Sequence, residues 1–347
     1  MRPIVFITKM MGGGMETFCL ALLKAWQQMG VNPVLYTSYA GGVTESEIPD
    51  GIERICPNRP VRKSVWFIAK VLRDRPDAPC LALSQEIGIV LRFLKKFNII
   101  KNKIYFRESD DVPNHYGMWA KLLMRLFWPG LDGIIEQSRY GAEETRKICG
   151  SLPRCHIMRN IVAADATLGD AMFRVLESQK FLLACVASYK ISKGQELLVR
   201  DMLSDVELDW HLTFWGEGVR RQATERLVET LNLKNRIFFR DWERIKDLIY
   251  QDVDCLVIPS DYEGLPNVML EAILRGKRVS VRPTCVGARE LLEEIGIGET
   301  WPWRRAMEIP QNDWIVARAR LVKMCDPKTV AKGIADFMGI MVIHGEL

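Results

Sequence analysis

The chain alternates short apolar runs with longer segments whose apolar residues recur at helical spacing. The run at residues 4–8 is followed by an amphipathic segment from Cys19 to Gly30 and then by a second apolar run, residues 34–37. Short apolar runs of this kind predict buried strands, and a strand–helix–strand order predicts a βαβ unit. The beginning of the chain is therefore expected to form an α/β domain with a parallel sheet.

Further apolar runs extend this pattern into two α/β series, separated by residues 161–180, which lack a strand pattern. The length of 347 residues suits two domains of ordinary size. We expect a first domain at 1–160, a linker at 161–180, a second domain at 181–326 and a final helical segment at 327–347. The remaining predicted strands are 80–83, 103–107, 133–136 and 156–158 in the first domain, and 181–187, 212–215, 237–239, 255–258 and 278–281 in the second.

The most informative polar residues are Glu263 and Glu271, which follow the predicted strand at 255–258. Pro266 suits the first turn of a helix, which places Glu263 in the strand-to-helix loop and Glu271 about one turn inside the helix. Open α/β sheets bind ligands at the carboxyl ends of their strands, and a helix N-terminus attracts a pyrophosphate. The pattern predicts a nucleotide-sugar site, although strand, turn and amphipathic helix are generic in α/β proteins and glutamates on helices are usually solvated.

The segment from Glu263 to Ala272 resembles the E-x7-E motif of the retaining glycosyltransferases of family 4, and the similarity extends over much of the chain. The resemblance implies the GT-B fold, in which two Rossmann-like domains face a cleft and the C-terminal helix crosses back to the first domain. It implies that Glu271 holds the ribose of the donor and that Glu263 contacts the donor sugar and acts in catalysis. The segment implied to lie close to the donor phosphates is Gly264, Leu265, Pro266, Asn267 and Val268.

A second match is the segment from Val186 to Gly194, which resembles the family's Gly-Arg-Leu…Lys-Gly sequence. The resemblance implies that Lys193 neutralises the leaving diphosphate. Ser188 occupies the position of the family's arginine, which leaves open whether Lys190 replaces it. An ammonium would hold phosphate as a point charge rather than through a planar fork. The alternative is that both lysines are merely solvated loop residues.

Three further loops match the family on the donor side. Gly13 and Gly14 belong to a glycine-rich loop where backbone N–H groups can approach a phosphate closely. Gly216 matches a Gly-x-Gly turn, and Glu290 matches a Gly-Gly-x-x-Glu loop after the last predicted strand. The glycines form neither a Walker loop nor a G-x-G-x-x-G fingerprint, which argues against an NAD-dependent oxidoreductase.

On the acceptor side, the strand-to-loop junction at residues 105–110 is expected to open into the cleft. Relatives often have a histidine here, whereas this chain has Ser109 or Asp110 in that place. Which residue fills the histidine's role is left open. The expected acceptor-side residues are Arg107, Glu108, Asp110 and His115.

The nine cysteines and four histidines show no metal-ligand spacing, which favours reduced, buried thiols and no structural metal. Asp252 and Asp254 spell the D-x-D signature of another glycosyltransferase fold, but they begin a predicted strand rather than end one. We therefore expect a metal-independent protein with no cofactor other than its donor substrate.

Positive charge is concentrated in the first half of the chain. Residues 1–165 carry 23 Lys and Arg against 16 Asp and Glu, whereas the rest carry 25 against 27. The segment at 116–128 mixes bulky apolar residues with Lys121 and Arg125, and such a helix could lie on an anionic membrane or could be an ordinary core-facing helix with two solvated cations. We see no nucleic-acid motif, signal peptide or bilayer-spanning run, and we expect a cytoplasmic protein. If the segment at 116–128 lies on a membrane, the protein would be peripheral on the inner face of the cytoplasmic membrane.

Together these features predict a retaining glycosyltransferase of the hexosyltransferase class. It would move a sugar from a nucleotide diphosphate donor, best matched by a UDP-sugar, to a saccharide acceptor such as a lipopolysaccharide, capsule or lipid-linked oligosaccharide precursor. The alternatives are a non-catalytic nucleotide-sugar-binding homologue, and a GT-B nucleotide-sugar 2-epimerase or inverting transferase, which lack the E-x7-E pattern.

Overall fold

The computed structural model describes residues 2–109, 111–162, 180–243 and 246–342. The chain divides into two compact units. Unit 1 comprises Met1–Ala163 together with Met324–Leu347, and unit 2 comprises Ala164–Lys323. Most of the predicted linker, residues 163–179, lies outside the described residues.

Unit 1 is built on a parallel sheet that has seven strands within the described residues, in the order β3-β2-β1-β4-β5-β6-β7. Six of these strands overlap predicted apolar runs. The apolar pattern does not predict β3, because this edge strand is half-exposed and reads Glu-Arg-Ile. The strands are β1 Ile4–Ile7, β2 Val34–Thr37, β3 Glu53–Ile55, β4 Cys80–Ala82, β5 Ile104–Arg107, β6 Gly133–Glu136 and β7 Cys155–Ile157.

Helices cover both faces of this sheet, as a parallel sheet requires. The helices that follow strands in unit 1 are α1 Gly14–Gln28, α2 Val65–Arg73, α3 Gln85–Lys96, α4 Val112–His115, α5 Met118–Phe127 and α6 Arg139–Cys149. Successive side chains of a strand point to opposite faces. Ile4 and Phe6 therefore pack in one core cluster with α2, α3 and α5, while Val5 and Ile7 pack in a second cluster with α1.

Unit 2 contains a parallel sheet of five strands within the described residues, in the order β10-β9-β8-β11-β12. Its strands are β8 Lys180–Val186, β9 Asp209–Trp215, β10 Ile237–Arg240, β11 Cys255–Ile258 and β12 Arg278–Val281. Its helices are α7 Gln195–Asp201, α8 Arg221–Thr230, α9 Lys246–Tyr250, α10 Asn267–Leu274, α11 Val286–Glu294, α12 Trp303–Glu308 and α13 Gln311–Cys325, the last of which ends in unit 1.

One aspartate of the D-x-D sequence has a structural role in this sheet. The buried Asp254 accepts a hydrogen bond from the Leu182 N–H at 2.8 Å through its carboxylate, and its own N–H donates to the Leu182 carbonyl at 2.7 Å. These bonds fix the start of β11 to β8. A buried carboxylate that accepts a backbone N–H satisfies a polar group that would otherwise cost free energy.

The last helix of the chain, α14 Pro327–Met338, belongs to unit 1 and covers the face of the sheet that α1 also covers. Trp26 of α1 donates its indole N–H to the Ala331 carbonyl at 2.9 Å. Gly133 of β6 leaves room for the ring of Phe337, since a Cβ there would lie 2.7 Å from it. The return of the C-terminal helix to the first domain is therefore confirmed.

Among the described residues, every helix is too short or too polar to cross a bilayer. All nine cysteines lie within the described ranges and are free thiols, and seven of them are buried.

We expect Ile334→Ala to lower the free energy of unfolding by about 2–5 kcal/mol, because it empties a fully buried site between α14 and the sheet. Urea denaturation would measure the change. Lys332→Ala on the exposed face of the same helix is the control, with an expected effect within about 0.5 kcal/mol. Equal effects of the two substitutions would contradict a core role for α14.

Candidate functional site

The two glutamates of the E-x7-E sequence lie where β11 leads into α10. β11 ends at Ile258 and α10 begins at Asn267, so Glu263 lies in the connecting loop and Glu271 lies about one turn inside the helix. Pro266 is the N-cap of α10 rather than a first-turn residue. The carboxyl end of a parallel strand and the positive end of a helix dipole therefore meet beside Glu263.

Glu263 forms an ion pair with Lys193, which lies 70 residues earlier in the chain. The Ser260 hydroxyl donates to the same carboxylate oxygen at 3.0 Å. The side chains of Lys193 and Glu263 are 24% and 18% exposed, so the pair is largely shielded from water. An ion pair in such surroundings is stronger than one on an open surface.

Backbone geometry brings the loop of Lys193 to the loop of Glu263. The Asp261 N–H donates to the Ser192 carbonyl at 2.8 Å. Gly194 has a φ of +68°, and a Cβ at this position would lie 2.2 Å from the Pro259 carbonyl oxygen. Only glycine permits this approach, because it lacks a Cβ and adopts a positive φ without strain. The Lys-Gly sequence therefore requires a glycine at this position for a steric reason that is independent of any ligand.

Glu271 contacts a different element from Glu263. One of its carboxylate oxygens lies 3.3 Å from the hydroxyl of Tyr250, which also lies 3.3 Å from the Val268 carbonyl. Burial, followed by the charge of Glu271, raises the pKa of Tyr250 well above its ordinary value, so the hydroxyl stays protonated and can donate. One turn further along α10, Arg275 donates to Asp247 at 2.8 Å. The carboxylate of Glu271 is thereby oriented by α9, a contact that no motif in the sequence indicates.

Ser188 and Lys190 are both exposed in the loop that follows β8. Lys190 lines a pocket of about 300 Å³ together with Arg220 and Arg282. Arg220 forms an ion pair with Glu196 at 2.7 Å, and Arg282 pairs with Asp261. The structure therefore places two arginines near the position where the family's arginine is missing. Sequence reasoning overlooked both, because they come from other loops.

Gly216 and Gly218 pack against the segment that carries Ser188. A Cβ on Gly216 would lie 2.2 Å from the Ala187 carbonyl oxygen, and a Cβ on Gly218 would lie 2.7 Å from that of Tyr189. The Tyr189 N–H donates to the Glu217 carbonyl at 2.8 Å. The Gly-Glu-Gly turn thus fixes the end of β9 against the loop after β8.

The prediction that Glu290 lies in a loop is wrong. α11 begins at Val286, so Gly287 and Glu290 are helical and Glu290 is half-buried. The loop that precedes the helix approaches the loop of Glu263 instead, since the Thr284 hydroxyl donates to the Ser260 carbonyl at 3.1 Å.

The glycine-rich loop of unit 1 surrounds a carboxylate. Gly13 is the N-cap of α1, and Gly14 is the first residue of this helix. A carboxylate oxygen of Glu16 accepts from the Met11 N–H at 3.4 Å, and a Cβ on Gly13 would lie 2.8 Å from the other oxygen. Gly13 and Gly14 are both exposed.

Two of the residues expected on the acceptor side are buried, since Arg107 and Glu108 are 2% and 1% exposed. The guanidinium of Arg107 lies 3.7 Å from the ring centroid of Phe18, and Glu108 accepts a hydrogen bond from the Tyr116 hydroxyl at 3.0 Å. These contacts hold both side chains inside unit 1. His115 is exposed, and Asp110 lies outside the described residues.

A buried carboxylate that the sequence did not indicate lies on the neighbouring strand. Burial raises the pKa of Glu136 to about 7, against the opposing effects of a hydrogen bond from Thr145 and the positive charge of Arg107. The Thr145 hydroxyl donates to Glu136 at 2.7 Å. Together with Arg107 and Glu108, this residue forms a buried polar cluster at the carboxyl ends of β5 and β6.

Comparison with known proteins finds a family similarity in the second unit. Residues 180–309 match the family described as glycosyl transferases group 1. The matched segment covers most of unit 2. Glu263, Glu271, Lys193 and Glu290 all lie within the matched segment.

Three curated relatives are similar to larger parts of the chain. An uncharacterized glycosyltransferase of Methanocaldococcus jannaschii is 23% identical over 67% of this chain and 62% of its own length. The N-acetylgalactosamine-N,N'-diacetylbacillosaminyl-diphospho-undecaprenol 4-alpha-N-acetylgalactosaminyltransferase of Campylobacter jejuni is 25% identical over 53% of this chain and 51% of its own length. A lipopolysaccharide core biosynthesis glycosyltransferase of Rhizobium meliloti is 24% identical over 76% of this chain and 74% of its own length. The chain spans less than two thirds of the first two relatives.

Solved structures resemble the chain over almost its full length. HepE of Anabaena, in complex with UDP and glucose, superposes with a TM-score of 0.76 at 17% identity and covers 98% of this chain and 99% of its own. The lipopolysaccharide outer core galactosyltransferase WaaB superposes with a TM-score of 0.78 at 13% identity and covers 97% of this chain and 98% of its own. These likenesses confirm the predicted fold class, two Rossmann-like α/β domains of the GT-B type.

We expect Gly194→Ala to destabilise the protein more than Gly298→Ala does. Gly298 has a similar φ of +76° with nothing within 4 Å of the added Cβ, so it reports the backbone strain alone, about 1–2 kcal/mol. At Gly194 the overlap with Pro259 adds about 1–3 kcal/mol. Thermal unfolding of both variants would measure the difference. Equal stabilities would show that the two loops do not need their close approach.

Proposed function

We propose that this chain is a retaining glycosyltransferase that transfers a sugar from a nucleotide diphosphate donor to a saccharide acceptor. The observation that supports this most directly is the ion pair between Lys193 and Glu263 at the carboxyl end of β11, beside the N-terminus of α10. A helix N-terminus and a lysine are the groups that a departing diphosphate needs, because its charge increases as the bond to the sugar breaks.

In this proposal, the two glutamates have different roles. Glu271 accepts hydrogen bonds from the ribose hydroxyls of the donor, and the Tyr250 hydroxyl keeps its carboxylate in place. Glu263 contacts the donor sugar while Ser260 and Lys193 hold its carboxylate in position. From this position a carboxylate can stabilise the positive charge of an oxocarbenium-like sugar.

Lys193 neutralises the leaving diphosphate, and Lys190 supplies a second positive charge in place of the arginine missing at Ser188. Lys190 is exposed, so it can reorient towards a phosphate at little cost. The acceptor hydroxyl then attacks from the face that the diphosphate leaves, which retains the configuration of the sugar. This chemistry proceeds without a metal ion.

The relatives support a UDP-sugar donor and a cell-surface acceptor. HepE of Anabaena is described in complexes with UDP and with UDP-glucose. The Campylobacter relative is named for a sugar acceptor linked to diphospho-undecaprenol, and the Rhizobium relative is named for lipopolysaccharide core biosynthesis. We infer that the acceptor is a lipid-linked or lipopolysaccharide-type saccharide, and that the reaction takes place at the inner face of the cytoplasmic membrane.

One alternative is favoured by a specific observation. Ser188 lacks the positive charge of the family's arginine, as expected for a homologue that binds a nucleotide sugar without transferring it. Release of UDP from a UDP-sugar in the absence of acceptor would distinguish the two, because a transferase hydrolyses some of its donor and a pure binding protein does not. Thermal-shift measurements with a panel of nucleotide sugars would identify the donor, since a selective ligand raises the melting temperature.

We expect Glu271→Ala to raise the donor KM about tenfold or more with a smaller change in kcat, because it removes hydrogen bonds that bind the donor in every state. Glu263→Ala and Lys193→Ala should instead lower kcat about 10²–10³-fold, because they remove charges that stabilise the transition state. Steady-state kinetics with the donor identified by thermal shift would measure both effects.

The matched control is Glu293→Ala on an exposed turn of α11, which should leave both parameters unchanged. Wild-type kinetics for all three site variants would refute the assignment. Loss of folding can be separated from loss of activity by circular dichroism and by the melting temperature of each variant.

A further inference from the structure

The outer surface of one helical layer in unit 1 carries an unusual number of large apolar side chains. α2, α3 and α5 pack their inner sides against one face of the sheet. Their outer sides form a surface that we call the outer helical face. Its exposed apolar residues are Trp66, Phe67, Phe93, Phe97, Met118, Trp119, Leu122, Leu123 and Leu126.

α5 shows the pattern most clearly. It buries Met124 and Phe127, but Met118, Leu122 and Leu126 recur every four residues on the exposed side. Trp119 is 74% exposed. The sequence left open whether this helix faces the core or a membrane, and the structure shows that it has one buried apolar side and one exposed apolar side. Single exposed apolar residues are ordinary, whereas a contiguous stripe marks an interaction surface.

The three helices form one continuous surface. α3 packs against α2 on one side and against α5 on the other. The rings of Phe93 and Phe97 lie 4.7 Å apart at the end of α3, and the Lys96 ammonium lies 5.7 Å from the ring of Phe127 in α5. Arg73 at the end of α2 donates to the carbonyl of Ile99 at 3.1 Å, which joins α2 to the segment after α3.

The segment that carries this surface is rich in basic residues. Residues 61–129 carry thirteen Lys and Arg against six Asp and Glu, which accounts for the whole positive surplus of the first half of the chain. Several of these cations are exposed and make no ion pair with any residue that the structure describes. They are Arg62, Lys63, Lys70, Lys101 and Arg125.

We propose that the outer helical face docks on an anionic phospholipid surface. Tryptophan and leucine side chains enter the boundary between headgroups and acyl chains, while unpaired lysines and arginines neutralise the headgroup charge. A second copy of the chain fits less well, because a symmetric contact would place the same uncompensated cations opposite each other. Docking on lipid goes beyond the transfer reaction and involves the named residues of unit 1. Only the purpose of this docking rests on the proposed function, because lipid binding itself is measured without sugar transfer.

The position of this face suits a lipid-linked acceptor. The connections of a parallel sheet place the N-termini of α2 and α5 at the carboxyl edge of the strands. Trp66 and Trp119 are each the second residue of their helix, and α5 begins just after His115, the exposed residue expected on the acceptor side. A docked face would therefore bring this edge of unit 1 to the depth of the lipid headgroups.

Co-sedimentation of the full chain with vesicles tests the proposal. Wild-type protein should pellet with equimolar phosphatidylglycerol and phosphatidylcholine vesicles, should remain in the supernatant with pure phosphatidylcholine, and should dissociate as salt rises. The triple substitution Trp119→Ser, Leu122→Ser, Leu126→Ser should weaken binding about tenfold or more, because it removes the inserted apolar surface. Lys70→Glu with Arg125→Glu should weaken it by at least roughly fivefold per charge.

Matched controls come from exposed residues elsewhere. Ile315→Ser with Val316→Ser removes apolar residues that are 47% and 49% exposed on α13, and Arg226→Glu with Lys323→Glu reverses two exposed charges. Both control variants should bind like wild type. Melting temperatures verify folding, and Trp119→Phe should retain binding because a ring remains at the interface.

Three results would overturn the proposal: no pelleting of wild type with anionic vesicles at low salt, wild-type binding by the triple variant, or equal losses in the control variants. A wild-type dimer in sedimentation velocity that the triple variant dissociates would assign the face to self-association instead. UDP release from the donor is measured on the same variants without vesicles. Vesicle binding can thus fail while donor hydrolysis persists, or the reverse.

Discussion

The candidate site depends on one backbone contact, the approach of the Gly194 α-carbon to the Pro259 carbonyl. Two loops that follow different strands of the same sheet meet there, and a hydrogen bond between Asp261 and Ser192 reinforces the contact. The ion pair of Lys193 and Glu263 is a result of this arrangement rather than its cause, since exchanged charges would still meet at the same place. The absence of a single Cβ thus determines where the two charges lie relative to α10.

Neighbouring residues likewise hold the charged side chains of the site in position. Tyr250 on α9 orients Glu271, and Ser260 orients Glu263. In unit 1, buried partners hold Arg107, Glu108 and Glu136 instead of leaving them at the surface. Functional groups that are fixed by neighbouring contacts lose less conformational entropy when a ligand binds, so the free energy of binding is not spent on ordering them.

Much of this fold could be predicted from the sequence, because buried parallel strands are apolar on both faces and stand out as short runs. β3 was not predicted because its half-exposed residues do not form an apolar run. The motif glutamates and Lys193 could be found by resemblance, but their contact could not, since no local pattern encodes a separation of 70 residues. The burial of Arg107 and Glu108 was not predicted because charged residues are rarely buried. The contacts with Phe18, Asn160 and Tyr116 that help to hold these two side chains inside unit 1 follow no local sequence pattern.

The place of α14 has a consequence for synthesis. Trp26 of α1 donates a hydrogen bond to Ala331 of α14, so the part of the first sheet that α14 covers stays exposed until the ribosome has made all of unit 2. A domain normally begins to fold as soon as its own residues emerge. Here unit 1 begins before unit 2 but is completed after it, because residues such as Ile334 and Phe337 close its core only once unit 2 has been made. A chain interrupted anywhere before α14 would therefore leave unit 1 with exposed core and open to chaperones and proteases, even if unit 2 were intact.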